Sequence, residues 1–117
     1  MKQFAIYILT NINHTVLYTG VTNNLVRRVH EHKEMKIPGF TQTYHVTQLV
    51  YYELYLDPEN AIKREKQIKN LVRRKKIAMV TTFNSTWRDL YPDILWDPFV
   101  ANAPPGWRRL RRYPIVA

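Results

Sequence analysis

The sequence predicts an α+β fold in which a small, mainly antiparallel, three-stranded sheet is flanked by helices. Three short runs rich in β-forming residues, FAIYIL (4–9), TVLYTG (15–20) and VTQLVYYELYL (46–56), alternate with segments of helical periodicity. The 117 residues include no cysteine and no run of 18 apolar residues. We therefore expect one modest core, no membrane span, no small-molecule cofactor and an intracellular, cytoplasmic location.

The first two runs predict a β-hairpin, because the asparagines of the intervening TNINH suit a tight connection. This pairing places Tyr7 and Tyr18 near each other on adjacent strands. A helix is predicted to follow, from an N-cap at Thr22 or Asn23 to about Met35, where IPGF ends it.

The second half of the domain is predicted to begin with the third strand and to continue in helices. Asp57 and Pro58 start a helix with proline at its first position, and KKIAMVTTF continues as a further helical turn or two. The order ββαβαα places these helices against the sheet. We predict a domain over residues 1–90 and a proline-, tryptophan- and arginine-rich tail over 91–117, because five of the seven prolines follow Leu90.

The charge predicts a polyanionic partner. The chain has 18 Lys and Arg against 9 Asp and Glu, with a net charge of +9. The segment PENAIKREKQIKNLVRRKK (58–76) holds 8 of the basic residues and 2 acidic ones. Nucleic acid is the commonest such partner inside a cell, and an anionic membrane surface is the alternative.

On each of the first two predicted helices, one face combines apolar residues with polar or charged ones. Leu25, Arg28, Val29 and His32 share one face of the first helix, whereas Arg27 points elsewhere. The second helix has a stripe of Ala61, Glu65, Ile68 and Val72. A carboxylate among apolar neighbours needs a cation, which is either a basic side chain or a metal ion.

Several of these residues resemble the signature of the GIY-YIG nuclease superfamily. IYI (6–8) and YTG (18–20) are similar to the paired signature, TNNLVRRVHEHK to the arginine-bearing helix, and AIKREKQIK to the helix with the metal-binding glutamate. FNSTWRDL resembles the closing asparagine segment of small stand-alone members related to the nuclease domain of the excision-repair incision subunit. Two positions depart from the pattern: Ile6 replaces the first glycine, and Val21 stands where some members have lysine.

The resemblance implies a metal-dependent endonuclease that hydrolyses DNA, including nicked, branched or single-stranded forms, and a place in DNA repair. It assigns catalytic roles to Tyr7, Tyr18, Arg28, His32 and Asn84, and makes Glu65 the ligand of Mg²⁺, or of Mn²⁺. In this scheme the arginine holds the scissile phosphate, and the first tyrosine positions or deprotonates the water once its pKa is lowered. The basic residues expected to bind nucleic acid are Arg27, Lys63, Arg64, Lys69, Arg73 and Arg74.

Each candidate also has a structural interpretation. The tyrosines can be cross-strand packing partners, Arg28 part of a solvated basic face, and Glu65 the partner of Lys69 at i+4. His32 can be a charge near a helix end and Asn84 a turn residue. Two further functions therefore stay open: a nucleic-acid-binding module that has weak turnover or none, and a basic protein that binds other proteins or membrane surfaces.

Overall fold

The computed structural model describes residues 3–96 and the backbone of residues 115–116. The elements are β1 (Phe4–Thr10), β2 (Leu17–Thr22), α1 (Leu25–Lys33), α2 (Phe40–Thr43), β3 (Gln48–Tyr55), α3 (Pro58–Lys69), α4 (Arg73–Phe83), α5 (Tyr91–Leu95) and β4 (Ile115–Val116). β1 lies between β2 and β3 and is antiparallel to both. The predicted α+β class and three-stranded antiparallel sheet are confirmed, and the two-residue β4 adds a parallel strand beyond β3.

The predicted β-hairpin is formed by β1 and β2. Tyr7 is opposite Gly20 in the register, and Tyr18 is opposite Leu9. The connection is held by Asn11, whose Oδ1 accepts hydrogen bonds from the backbone N–H groups of Thr15 and Val16 at 2.8 and 3.1 Å. The asparagine therefore does what the sequence pattern predicted, by replacing backbone hydrogen bonds that a turn leaves unmade.

The central strand β1 has helices on both sides, so both of its faces are buried. Its alternate side chains enter two hydrophobic clusters. The first cluster contains Ala5, Tyr7 and Leu9 with residues of α1, β3 and α5; the second contains Ile6 and Ile8 with residues of β3, α3 and α4. The two signature tyrosines belong to the α1 side of the sheet.

The boundaries of α1 differ from the predictions by one or two residues, and the predicted start of α3 is confirmed. The N-cap of α1 is Asn24, which accepts a hydrogen bond from Arg27 N, and the helix stops at Lys33 because Met35 has a left-handed φ of 60°. Asp57 caps α3 as predicted, accepting from Asn60 N. Val72 was predicted to share the apolar stripe of α3, but it is 58% exposed and precedes α4, so this prediction was wrong.

Packing extends past residue 90, the predicted end of the domain. Leu90 and Ile94 are buried in the first cluster, so α5 contributes to the core although its segment was assigned to the tail. Residues 97–114, including WRRLRR, lie outside the described residues. In the part of the chain that is described, no helix has the length and apolarity needed to cross a membrane.

Candidate active site

Three aromatic rings meet on the α1 side of the sheet. Tyr7 comes from β1, Tyr18 from β2 and His32 from α1. Their ring centroids are 6.3 Å apart between the two tyrosines, 5.8 Å from Tyr7 to His32, and 5.6 Å from Tyr18 to His32. Tyr7 and His32 are only 1% and 2% exposed, while Tyr18 is partly buried. The i, i+3, i+4, i+7 stripe of α1 thus brings its histidine to the hairpin, as the spacing predicted.

A chain of hydrogen bonds fixes the histidine ring. Tyr7 Oη lies 3.2 Å from His32 Nε2, and His32 Nδ1 lies 3.0 Å from Thr41 Oγ1. Thr41 is 4% exposed and comes from the short helix α2. Sequence reasoning missed this threonine, because a single hydroxyl residue in GFTQTY has no periodicity and meets the histidine only in the folded chain.

The histidine is neutral at physiological pH. Burial, and after it the nearby Arg28 charge, lowers the pKa of His32 from 6.5 to about 4, although Glu31 acts in the opposite direction. A neutral imidazole has one nitrogen that donates and one that accepts. His32 Nε2 can therefore accept a hydrogen bond from the Tyr7 hydroxyl while Nδ1–H donates one to Thr41 Oγ1.

The first tyrosine keeps its proton in this environment. Burial raises the pKa of Tyr7 above its ordinary value, and Tyr18 adds to the increase. Arg28 acts in the opposite direction, but its effect does not outweigh burial. A direct base role for Tyr7 was expected to require a metal ion and Arg28 together; Arg28 by itself does not bring the pKa below its ordinary value, so Tyr7 is a phenol in the protein alone.

The absence of a side chain at Gly20 leaves room for the Tyr7 ring. A Cβ built on Gly20 would lie 2.5 Å from both Cζ and Oη of Tyr7 and 2.9 Å from Cε1. These distances are far below van der Waals contact, so the ring lies directly over the glycine Cα. The glycine of the YTG motif is therefore required by packing against Tyr7.

Arg28 and Arg27 have different environments, as the stripe predicted. Arg27 is exposed, whereas the Arg28 side chain is 34% exposed and its charge reaches both Tyr7 and His32. Its Nε lies 3.3 Å from Glu31 Oε1 but makes no hydrogen bond to any residue in the described part of the chain. A buried donor without a partner is costly, and an anion at this place would satisfy it.

Glu65 of α3 is close enough to Tyr7 to affect it electrostatically. Its charge contributes to the raised pKa of Tyr7, and its side chain is 13% exposed. The carboxylate forms a 2.7 Å ion pair with Lys69, which is the structural interpretation that the sequence left open. No group of three or more His, Cys, Asp or Glu side chains suited to a metal ion occurs among the described residues. One carboxylate still fits Mg²⁺, which keeps most of its ligands as water.

Asn84 has a structural role and does not join the tyrosines as predicted. It is 7% exposed at the end of α4, and its Nδ2 donates to the carbonyl oxygens of Val50 at 3.3 Å and Arg88 at 2.8 Å. Both donors of the amide are therefore used to hold the turn after α4 against β3. These contacts support the turn interpretation, and the catalytic assignment stays a prediction.

Arg64, which was predicted to bind nucleic acid, forms an ion pair with a buried carboxylate. Its guanidinium is paired with the 3% exposed Glu53, with Nε 3.0 Å from Oε1 and Nη2 2.9 Å from Oε2. The hydroxyls of Tyr51 and Tyr55 donate to the same carboxylate. Burial would raise the pKa of Glu53, but these four donors outweigh it and lower the pKa. Arg64 therefore neutralises a buried charge and contributes little to a basic surface.

The other predicted nucleic-acid-binding residues lie at the surface. All five are exposed; they are Arg27, Lys63, Lys69, Arg73 and Arg74. Lys69 holds Glu65, and Arg73 donates to the carbonyl of Thr15 at 2.8 Å. Exposed positive charges of this kind attract phosphates without reading sequence.

The fold and the cluster together define a domain suited to phosphodiester chemistry. A guanidinium group with one unbonded donor is held near two phenols, a neutral imidazole and the carboxylates of Glu31 and Glu65, and such groups can bind a phosphate and handle a water. A family model described as the GIY-YIG catalytic domain matches residues 3–78.

Several other proteins are also similar to this chain. UPF0213 proteins of Staphylococcus haemolyticus and Staphylococcus epidermidis are 32% and 34% identical over 80 residues, covering 68% of this chain and 96% of each relative. The solution NMR structure of a UPF0213 protein from Bacillus halodurans is 30% identical, covers 68% of this chain and 84% of its own, and has a TM-score of 0.45. The chain belongs to the GIY-YIG family, a nuclease family, as its signature predicted.

Proposed function

We propose that this protein is a metal-dependent endonuclease that hydrolyses phosphodiester bonds in DNA. The observation that supports this most is the convergence of Tyr7, Tyr18, His32 and Arg28 in a chain that belongs to a nuclease family. In this proposal the scissile phosphate occupies the position beside Arg28, where the unsatisfied Nε and the rest of the guanidinium bind its oxygens.

Water is activated through the hydrogen-bond chain. Tyr7 donates its proton to His32 Nε2 and keeps a lone pair for the attacking water, while Thr41 accepts from the N–H at Nδ1. When the water loses a proton to Tyr7, the phenol proton moves to His32. The negative charge that gathers on the phosphate in the transition state stabilises the resulting imidazolium.

Glu65 is the residue that would hold Mg²⁺ or Mn²⁺. The bound ion would supply positive charge at the leaving oxygen, and most of its ligands would be water and phosphate oxygens. For this to happen Glu65 has to exchange its ion pair with Lys69 for the metal. Lys69 is half exposed and can turn to solvent or to a neighbouring phosphate.

The alternative is a nucleic-acid-binding module without turnover. It is favoured by the same Glu65–Lys69 ion pair, which satisfies the carboxylate without any metal. The two proposals differ in the behaviour of Glu65→Gln and of the matched variant Lys69→Met.

Three measurements distinguish the two proposals: nicking of plasmid DNA, DNA affinity and melting temperature. In an endonuclease, Glu65→Gln abolishes Mg²⁺-dependent nicking and leaves DNA binding equal or tighter, because a negative charge near phosphate is removed. Lys69→Met retains nicking and reaches its half-maximal rate at a lower Mg²⁺ concentration, because the competing cation is gone. If both variants lose stability equally and neither changes nicking, Glu65 is only the partner of Lys69.

A further inference from the structure

A continuous run of aromatic rings leads from the buried site to the protein surface. The Tyr18 ring is stacked with Phe40, with centroids 6.2 Å apart and planes inclined at 26°. Phe40 in turn contacts Tyr44, with centroids 4.8 Å apart. Phe40 and Tyr44 are 48% and 51% exposed, so this pair, the Phe40–Tyr44 platform, presents ring surface to solvent directly beside the site.

The short helix α2 holds the platform in place. Gly39, with φ of 105°, precedes the helix, and Tyr44 N–H donates to the carbonyl of Phe40 at 3.0 Å. The two rings are thus an i, i+4 pair on one side of a helical turn. Thr41, on the same turn, points inward and contacts His32 at 3.0 Å. One turn of backbone therefore ties the exposed rings to the hydrogen-bond chain of the site.

The surroundings of the platform favour a nucleobase as its occupant. The adjacent Gln42, Thr43 and His45 are polar and exposed, so the rings stand in a polar surface and do not extend a broad apolar patch. Arg28, the proposed phosphate ligand, flanks the same cluster, since it lies one helical turn before His32 on α1. Aromatic faces next to a phosphate-binding cation are the combination with which proteins hold unpaired nucleotides.

We propose that the Phe40–Tyr44 platform stacks an unpaired base next to the scissile phosphate, so that the preferred substrate has unpaired nucleotides at the cleavage position. This inference rests on the proposed nuclease function. In a duplex the faces of a base are covered by its neighbours, and only a single-stranded, flapped or frayed segment can place a base on these rings.

The size of the effect follows from the stacking energy. Base–aromatic stacking contributes about 1–3 kcal/mol per base, which corresponds to roughly a 5- to 150-fold change in affinity. A leucine at the same position retains apolar volume but has no ring face. Phe40→Leu and Tyr44→Leu therefore separate stacking from general hydrophobic contact, and Phe40→Trp, with a larger ring, is the matched control.

The experiment measures binding by fluorescence anisotropy with the full chain in EDTA, so that cleavage does not interfere. The probes are labelled oligothymidylate of about 12 nucleotides, within the range of small single-strand sites, and a blunt hairpin duplex. Phe40→Leu and Tyr44→Leu are expected to weaken single-strand binding at least fivefold and duplex binding less than twofold, whereas Phe40→Trp binds single strands as well as the wild type. An abasic site scanned along the oligonucleotide should weaken the wild type at one position and leave Phe40→Leu unaffected there.

Two results would overturn the inference. The first is single-strand binding by both leucine variants within twofold of the wild type. The second is an equal loss of affinity for single strand and duplex, which would indicate a general change of the surface or a protein-binding patch. A different result would show that the proposed nuclease function is wrong while the stacking inference holds. In that case the wild type would cleave no DNA with Mg²⁺ or Mn²⁺, and the ring-dependent binding in EDTA would persist.

Discussion

Replacing Gly20 with alanine tests the geometry of the site most directly. The added methyl group would meet Cζ and Oη of Tyr7 at 2.5 Å, so the ring has to move. Tyr7 is 1% exposed and is held among β1, β2 and α1, so the ring cannot move without losing its packing or its 3.2 Å contact with His32. We therefore expect Gly20→Ala to damage stability and activity together.

The expected cost comes from two sources. Overpacking a core by one methyl group costs about 1–3 kcal/mol, and losing the Tyr7–His32 hydrogen bond costs about 0.5–1.5 kcal/mol. A total of about 1.5–4.5 kcal/mol is a large fraction of the stability of a domain this size and lowers the melting temperature by roughly 6–18 °C. If Tyr7 positions the water, nicking falls on the order of 10²-fold, since misplacement by about 1 Å has this effect.

A double-mutant cycle separates the clash from other effects of the substitution. Leucine at position 7 lacks the Cζ and Oη atoms that the new methyl group would meet. The destabilisation caused by Gly20→Ala should therefore be smaller in a Tyr7→Leu background than in the wild type, by at least about 1 kcal/mol of coupling energy. Chemical unfolding of the four proteins measures it. Equal costs in both backgrounds would show that Gly20 is not needed for the Tyr7 ring.

Three further predictions concern the neighbours of this ring. Arg28→Ala should reduce nicking about 10²- to 10³-fold and Arg27→Ala much less, because of these two arginines only Arg28 has an unbonded donor at the site. Single-turnover assays measure both losses. Equal, small losses would mean that both arginines contribute only diffuse positive charge. Because the pKa of His32 is about 4 when folded and 6.5 when unfolded, the stability from its buried neutral form is present above pH 6.5 and is lost as pH falls toward 4. The loss is about 3 kcal/mol over this window, and urea titrations of His32→Gln should lack it. Thr41→Val should cost about 1–3 kcal/mol by leaving His32 Nδ1 unsatisfied, and Thr41→Ser should restore stability and nicking; a silent Thr41→Val in both assays would remove the hydroxyl from the site.

The sequence by itself determined the features that depend on neighbours along the chain. Runs of β-forming residues predicted the three strands, and the asparagines of TNINH predicted the hairpin connection that Asn11 makes. The stripe on α1 distinguished Arg28 from Arg27, because helical periodicity alone decides which face a residue occupies. The order and spacing of the signature residues predicted the family, and the family model confirmed it.

Local patterns were less reliable where a side chain chooses between partners far apart in sequence. The charge of the 58–76 segment suggested that Arg64 binds nucleic acid, yet it pairs with the buried Glu53, 11 residues earlier. Asn84 was expected in the site, but its amide is used by the carbonyls of Val50 and Arg88. Both results follow from burial, because a buried polar group takes whichever partner the fold brings within reach.

Only the tertiary structure decided what surrounds the signature tyrosines. Thr41 meets His32 across nine residues, and the rings of Phe40 and Tyr44 join Tyr18 because α2 folds back over the hairpin. The protonation states were also decided there: composition cannot show that burial outweighs Arg28 at Tyr7, or that His32 is neutral. Sequence periodicity records which face of an element is apolar, whereas desolvation and contact depend on which faces meet, and that is settled only when the elements pack.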